Sequence, residues 1–394
     1  MNITEQIHAL GPELITIRRE FHRHPELGQE EHTTSRMIRE FLDKWGISYI
    51  YPVAGTGITA VIYGEKAGTQ GNTVALRADI DALPLTEDPS RPYCSLNSGA
   101  MHACGHDAHI TIALGAARVL KEHAAEWAGC VKIFFQPAEE TTGGAAPMIQ
   151  EGCMENPHVD YVIGLHVMPT WEAGEVEYRY GKLNAATDEL HIRIHGKGCH
   201  GAYPDNGTDA IVMAGAVINS LQSLVSRNIS PLNQVVLTLG TIRGGTAANI
   251  IAGEVDITGT LRTTDPETRK FCWEAITRLT EHTCQAYGGK GEAEITPGYA
   301  ALINTPEMVD LLVETASSLV GPEHLHAKEF PSLGGEDFSF FLEKAPGVFW
   351  HLGCACREKG ITAPLHSAQF DIDESCLELG VNIQTHLALR LLAL

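Results

Sequence analysis

The sequence predicts an α/β protein: a three-layer, mostly parallel-sheet domain interrupted by an inserted α+β domain of ferredoxin-like layout. Three observations carry this expectation. The chain has 394 residues, and at roughly 150 residues per domain that points to two domains. Strand-like apolar runs alternate with helical stretches in the first 180 residues and again near the C-terminus, the pattern of a layered α/β domain. Between those regions the order changes to βαββαβ.

The elements follow in order. Ile3 to Trp45 has helical spacing of apolar residues, broken at His24-Pro25, because proline cannot continue a helix. Strand-like runs follow at Thr59–Tyr63, Thr73–Ala78, Val131–Phe135 and Tyr161–His166, with a helical stretch at about 108–127. In parallel sheets, ligands sit beyond the carboxyl ends of the strands. Asp79 and Asp81, Glu139 and Glu140, and His166 fall at such ends. After Gly181-Lys182 come a half-exposed strand (Glu189–His195), an apolar helix (Asp209–Val225) and two strands (Gln234–Ile242, Glu254–Arg262) around Gly244-Gly245. A helix (Pro266–Tyr287) and a last strand (Glu292–Pro297) complete the insertion. The chain then returns to mixed elements from about Thr305 and ends in a helix, Glu374–Leu392. The domains read as 1–183 with 299–394, and 184–298.

Composition excludes several classes. The net charge of −21 argues against nucleic-acid and anionic-membrane partners, which need clustered positive charge. Apolar stretches fall far short of the ~20 residues of a membrane span. The N-terminus, MNITEQIHAL, lacks the basic and apolar regions of a signal peptide. Ten scattered cysteines read as reduced thiols and predict a cytoplasmic protein.

Four segments carry chemistry. Met101–His109 holds one Cys and three His ahead of a helix. Thiolate and imidazole are good ligands for zinc-like ions, although a buried Cys beside helix-capping His and Asp explains the segment equally well. An apolar strand runs into Glu139-Glu140 and then Gly143-Gly144. Adjacent strand residues point to opposite sides, so both carboxylates serve one site only if the backbone turns there. His166 follows Tyr161–Ile163, and His366 lies in Ala363–Ser367. Each such histidine alone is more often structural than a ligand. Together the segments offer too many donors for one tetrahedral ion and suit two ions sharing a bridge.

Several further motifs accompany them: His22–Leu27, Arg77–Pro84, Gln136–Glu140, Gly196–His200, Gly244–Asn249 and Gly335–Phe338. With Met101–Asp107, this combination resembles the aminoacylase, hippurate hydrolase and indoleacetyl-amino acid hydrolase group, dinuclear metallo-amidohydrolases related to the carboxypeptidase-G type metallopeptidases. The resemblance runs from about residue 14 to the C-terminus. It implies a catalytic α/β domain, a lid/dimerisation insertion, and hydrolysis of N-acyl amino acids to a carboxylic acid and a free amino acid.

Carried over by motif, the implied metal ligands are Cys104, His106, Glu140, His166 and His366. Cys104 is the implied bridge, His106 and His166 complete one site, and Glu140 and His366 the other. Glu139 matches the general base, and Asp81 a carboxylate that orients a ligating imidazole. His200 matches an oxyanion-stabilising catalytic residue, Asn249 and Arg262 match substrate-binding positions, with Arg262 expected near Asn249, and Gly335 offers backbone to the substrate carboxylate. The implied cofactors are two divalent ions, zinc or manganese, with cobalt or nickel as further candidates. The implied assembly is a homodimer or higher homo-oligomer formed through the insertion. The sequence departs from many relatives at Ala248, Ala252, Gly335 and just after His366; Ala248 and Gly335 bear on specificity, and the ligands stay intact. Rival readings are a dipeptidase or carboxypeptidase, a cysteine hydrolase using Cys104 with His106, and a catalytically silent metabolite-binding protein.

Overall fold

A computed structural model describes residues 2–66, 71–89 and 91–394. The chain forms, in order, α1 (Ile3–Arg23), α2 (His32–Lys44), β1 (Ser48–Val53), β2 (Gly57–Tyr63), β3 (Thr73–Asp79), α3 (His106–Glu122), β4 (Cys130–Gln136), α4 (Ala145–Gln150), β5 (Tyr161–Glu172), β6 (Val176–Tyr178) and β7 (Gly181–Asn184). It continues with β8 (Ala186–His195), β9 (Cys199–His200), α5 (Ala210–Ser223), β10 (Val235–Gly244), β11 (Ile250–Ile251), β12 (Glu254–Thr263), α6 (Pro266–Ala286) and β13 (Lys290–Pro297). It closes with β14 (Leu302–Asn304), α7 (Pro306–Val320), β15 (Leu325–Ala327), α8 (Ser339–Leu342), β16 (Gly347–Ala355) and α9 (Cys376–Leu392). These divide into two compact units.

The first unit comprises Met1–Gly181, Ile303–Glu329 and Asp337–Leu394. Its sheet has the order β1-β2-β4-β3-β5-β16-β6-β15. The central strands β4, β3, β5 and β16 are mutually parallel, and the β1–β2, β2–β4 and β16–β6 pairs are antiparallel. The helix α3 is buried on nearly every side, as expected of a helix without a polar face. It packs on α1 and α9, and its apolar residues join Ile133 and Phe135 of β4 in one core. Phe134 points to the opposite face, as strand alternation requires. There it stacks on Phe341 at 5.2 Å, beside Phe338 and Phe349. The outcome is helices, sheet and a thinner third layer. One expectation needs correction: β5 does not end at His166 but continues to Glu172, because β16 pairs along it as far as that residue.

The second unit comprises Lys182–Leu302 together with Phe330–Glu336. Its main sheet has the order β10-β12-β8-β13 and is antiparallel throughout, the strand order of a ferredoxin-like βαββαβ unit. Alternate residues of β8 (Leu190, Ile192, Ile194) are buried against Met213, Val217 and Leu221 of α5 and Cys272 and Ile276 of α6. Asp265 caps α6 by accepting the Thr268 N–H at 2.9 Å, and Pro266 opens the helix, where its missing N–H costs nothing. By length and composition alone, Ala210–Asn228 would suffice to cross a membrane. Within the unit, Met213, Ala214, Val217 and Leu221 bury one side of that run, while Ile211 and Val212 are exposed.

Candidate metal centre

The site grows from the carboxyl ends of β3, β4 and β5 and from the loop that opens α3. Cys104 and His106 flank Gly105, which has φ +84°. A Cβ there would also lie 2.2 Å from Val167 Cγ2, so only glycine lets this loop settle on β5. Cys104 Sγ consequently lies 3.3 Å from His166 Nε2.

The turn that the Glu-Glu pair required is present. Ala138 adopts φ +56°, a conformation rare outside glycine. Its N–H is held at 2.9 Å by the buried Glu31 carboxylate, and its carbonyl accepts the Gly143 N–H at 2.9 Å. Donor oxygens of Glu139 and Glu140 and a donor nitrogen of His106 thereby come within 4.8 Å of one another. His366 is also left-handed, at φ +60°, and its N–H donates to the Ala103 carbonyl at 2.8 Å. That clamp brings His366 Nε2 to 3.2 Å from Glu140 Oε1.

Two triads share one sulfur. The donor atoms of Cys104, His106 and His166 lie within 4.8 Å of one another, and so do those of Cys104, Glu140 and His366. Hydrogen bonding fixes which imidazole nitrogens are free. His106 Nδ1 donates to the Asp81 main-chain oxygen at 2.8 Å, and His166 Nδ1 to the Val167 oxygen at 2.6 Å. In both rings the Nε2 lone pair is left facing the cluster. His106 Nε2 is buried without a hydrogen-bond partner. Orphaned buried donors and acceptors of this kind are costly unless a ligand occupies the space, and this mixed S/N/O set suits divalent transition metals.

Asp81 orients the site differently from the simple expectation. Its main chain takes the His106 proton, its Oδ1 stands 3.2 Å from the same nitrogen, and Oδ2 accepts the Glu140 N–H at 2.9 Å. One residue therefore positions both His106 and Glu140. Burial pushes the Cys104 thiol well up. Burial also opposes ionisation of Glu140, but His366, His106 and Cys104 outweigh it and hold the carboxyl at about 2. Asp79 and His109, to which the sequence reading assigned no role, lie directly behind these residues. Arg77 Nη1 contacts Asp79 Oδ2 at 2.6 Å, and His109 Nδ1 contacts Asp79 Oδ1 at 2.5 Å. The signal that could have found them is the buried charge of the Arg77–Asp81 stretch on an otherwise apolar strand.

The remaining predicted residues lie in the second unit. His200 and Asn249 are brought together by the β9–β11 ladder, where Gly201 N–H donates to the Asn249 carbonyl at 2.8 Å, and both are exposed. Arg262 is opposite Thr187 at the far end of β12. Gly335 packs near the same Thr187, whose Cγ2 would meet a Cβ at 2.7 Å. The eight residue steps from Glu254 to Arg262 span about 26 Å of extended chain, so the expectation that Arg262 lies near Asn249 is wrong. The turn before β12 and the end of β12 sit at opposite ends of the unit.

Comparison with known proteins bears on this geometry. The profile of peptidase family M20/M25/M40 matches residues 75–390. Thermostable carboxypeptidase 1 of Saccharolobus solfataricus is 36% identical over 381 residues, covering 96% of this chain and 95% of its own length. N-acetyl-L-cysteine deacetylase of Bacillus subtilis is 38% identical over 375 residues, covering 94% and 86% respectively. The solved structure of the Bacillus subtilis YXEP protein, a dinuclear metal binding peptidase of family M20, has a TM-score of 0.84 at 32% identity over 98% of this chain and 99% of that one.

Proposed function

This chain belongs to peptidase family M20/M25/M40 and is a metal-dependent hydrolase, and we propose that it cleaves the amide bond of N-acyl amino acids at a site around Cys104 that would hold two divalent ions. The observation that carries the proposal is the pair of triads sharing the Cys104 sulfur, with a separate carboxylate, Glu139, held beside them. Cys104, His106 and His166 would hold one ion, and Cys104, Glu140 and His366 the other. When bound, such ions supply Lewis acidity to the scissile carbonyl and acidify an attacking water. Zinc or manganese fits the donor set best, with cobalt and nickel as alternatives.

The chain's own groups do the rest. Glu139 takes the proton of the attacking water and returns it to the leaving amine nitrogen. Asp81 keeps the His106 Nδ1 protonated and its Nε2 bare. His200 donates to the oxyanion of the tetrahedral intermediate. Arg262 holds the product-side carboxylate in bidentate fashion, with Gly335 supplying main chain beside it. Asn249 stays with His200 at the other end of the insertion, so one chain cannot offer both ends to one small substrate. This separation supports a homodimer in which His200 and Asn249 serve the partner's site. Ten unpaired thiols support a cytoplasmic setting.

Hydrolysis of acetyl, benzoyl, indoleacetyl and long-chain acyl amino acids, with each metal added back, tests the proposal. Turnover of at least one such conjugate is expected. A carboxypeptidase is the second reading, supported by the resemblance to thermostable carboxypeptidase 1, and turnover restricted to peptides would select it. Silence on every substrate would leave the binding-protein reading. The cysteine-hydrolase reading is disfavoured because His166, Glu140 and His366 converge on the same sulfur as His106, a donor set that a thiol–imidazole pair does not need.

A further inference from the structure

We infer that Asp79 and His109 form a positioning dyad that sets the orientation of His166 through the main chain of Val167. The inference rests on the reading of His166 as a metal ligand. Strand β5 outruns β3, whose register ends at Arg77 opposite Gly164. Beyond that point the main-chain groups of Val167 are taken by two imidazoles. The Val167 N–H donates to His109 Nε2 at 2.9 Å, and the Val167 carbonyl accepts from His166 Nδ1 at 2.6 Å. The residue that fixes the His166 ring is thus itself fixed by His109.

Chemistry assigns the protons. An N–H faces His109 Nε2, so that nitrogen must be a bare acceptor. Nδ1 then carries the proton and donates it to Asp79 Oδ1 at 2.5 Å. Asp79 is in turn anchored by Arg77, which also reaches Asp337 at 2.9 Å and Gln136 at 2.9 Å. All of these side chains are buried. Asp79, His106 and His109 could by distance form another cation site. The Arg77 guanidinium on Asp79 and the commitment of both His109 nitrogens argue instead for a purely orienting role. Removing an orienting partner of a metal-bound imidazole weakens metal affinity by about 10–100-fold.

The experiment is a competitive-chelator titration of the metal-free full chain with Zn²⁺, comparing wild type, His109→Leu, His109→Gln and His166→Ala. Glutamine keeps one acceptor for Val167 and one donor for Asp79. His109→Leu is expected to weaken one of the two binding steps about 10–100-fold and leave the other within a few-fold, while His109→Gln restores it. Unchanged binding in His109→Leu, or equal weakening of both steps without rescue by Gln, would overturn the dyad. His166→Ala retaining both steps would instead overturn the ligand assignment beneath it. Should His109→Leu not fold, ¹⁵N spectra of the wild-type imidazoles decide. His109 is expected as the neutral Nδ1–H tautomer, and an Nε2–H or doubly protonated ring would contradict the dyad.

Discussion

Cys104 Sγ stands 3.3 Å from His166 Nε2, and the same sulfur closes a second triad with Glu140 and His366. A bridging donor belongs to both metal sites, so its loss should empty both. Cys104→Ala is expected to lose bound metal and activity together, measured by elemental analysis after dialysis. A metal-replete, active variant would place the bridge elsewhere.

Glu139 lies next to a proposed ligand but is assigned as base. Glu139→Gln keeps its shape and removes its proton-accepting charge. Turnover should fall by at least about 10²-fold, the usual contribution of a general base. Elemental analysis should still find two ions per chain, and loss of an ion would mark Glu139 as a ligand.

The separation of His200 from Arg262 predicts complementation. His200→Ala and Glu139→Ala should each be nearly inactive. Refolded together, mixed dimers should regain activity if His200 serves the partner's site. Heterodimers that form without regaining activity would assign His200 to its own chain.

A buried cluster around Glu177 predicts an acid dependence. Glu177 Oε2 contacts His351 Nδ1 at 2.6 Å and Lys328 Nζ at 2.9 Å, and Oε1 accepts from Trp171 Nε1 at 3.1 Å. Burial opposes its ionisation, but His351 and Lys328 prevail and bring it from 4.5 down to about 2. A carboxyl depressed on folding contributes stability above its unfolded pKa and loses it as pH falls through the folded one. Glu177→Gln should therefore destabilise the protein by about 1–3 kcal/mol at neutral pH. The gap from wild type should narrow between pH 4.5 and pH 2, as followed by denaturant melts at each pH. A gap constant across that window would show that Glu177 contributes no charge.

The two-domain α/β layout was legible because apolar runs and breaker residues encode strands and helices locally. The metal-ligand candidates were legible because Cys, His and Glu cluster at strand ends. What escaped was three-dimensional adjacency. Asp79 looks like any strand-terminal acid until His109, on a helix reached through a long loop, closes on it. Arg262 and Asn249 look like neighbours across a short turn, yet an extended strand carries one away from the other. The positive φ values of Ala138 and His366, which aim Glu139, Glu140 and His366, leave no mark in residue type, since neither residue is glycine.

The most direct test is stepwise metal return to the chelated enzyme, followed by hydrolysis of an N-acyl amino acid found in the substrate screen. The two-ion account predicts no turnover without metal and full turnover only as the second equivalent per chain binds. Full activity in the metal-free protein, or full activity after a single equivalent, would contradict it.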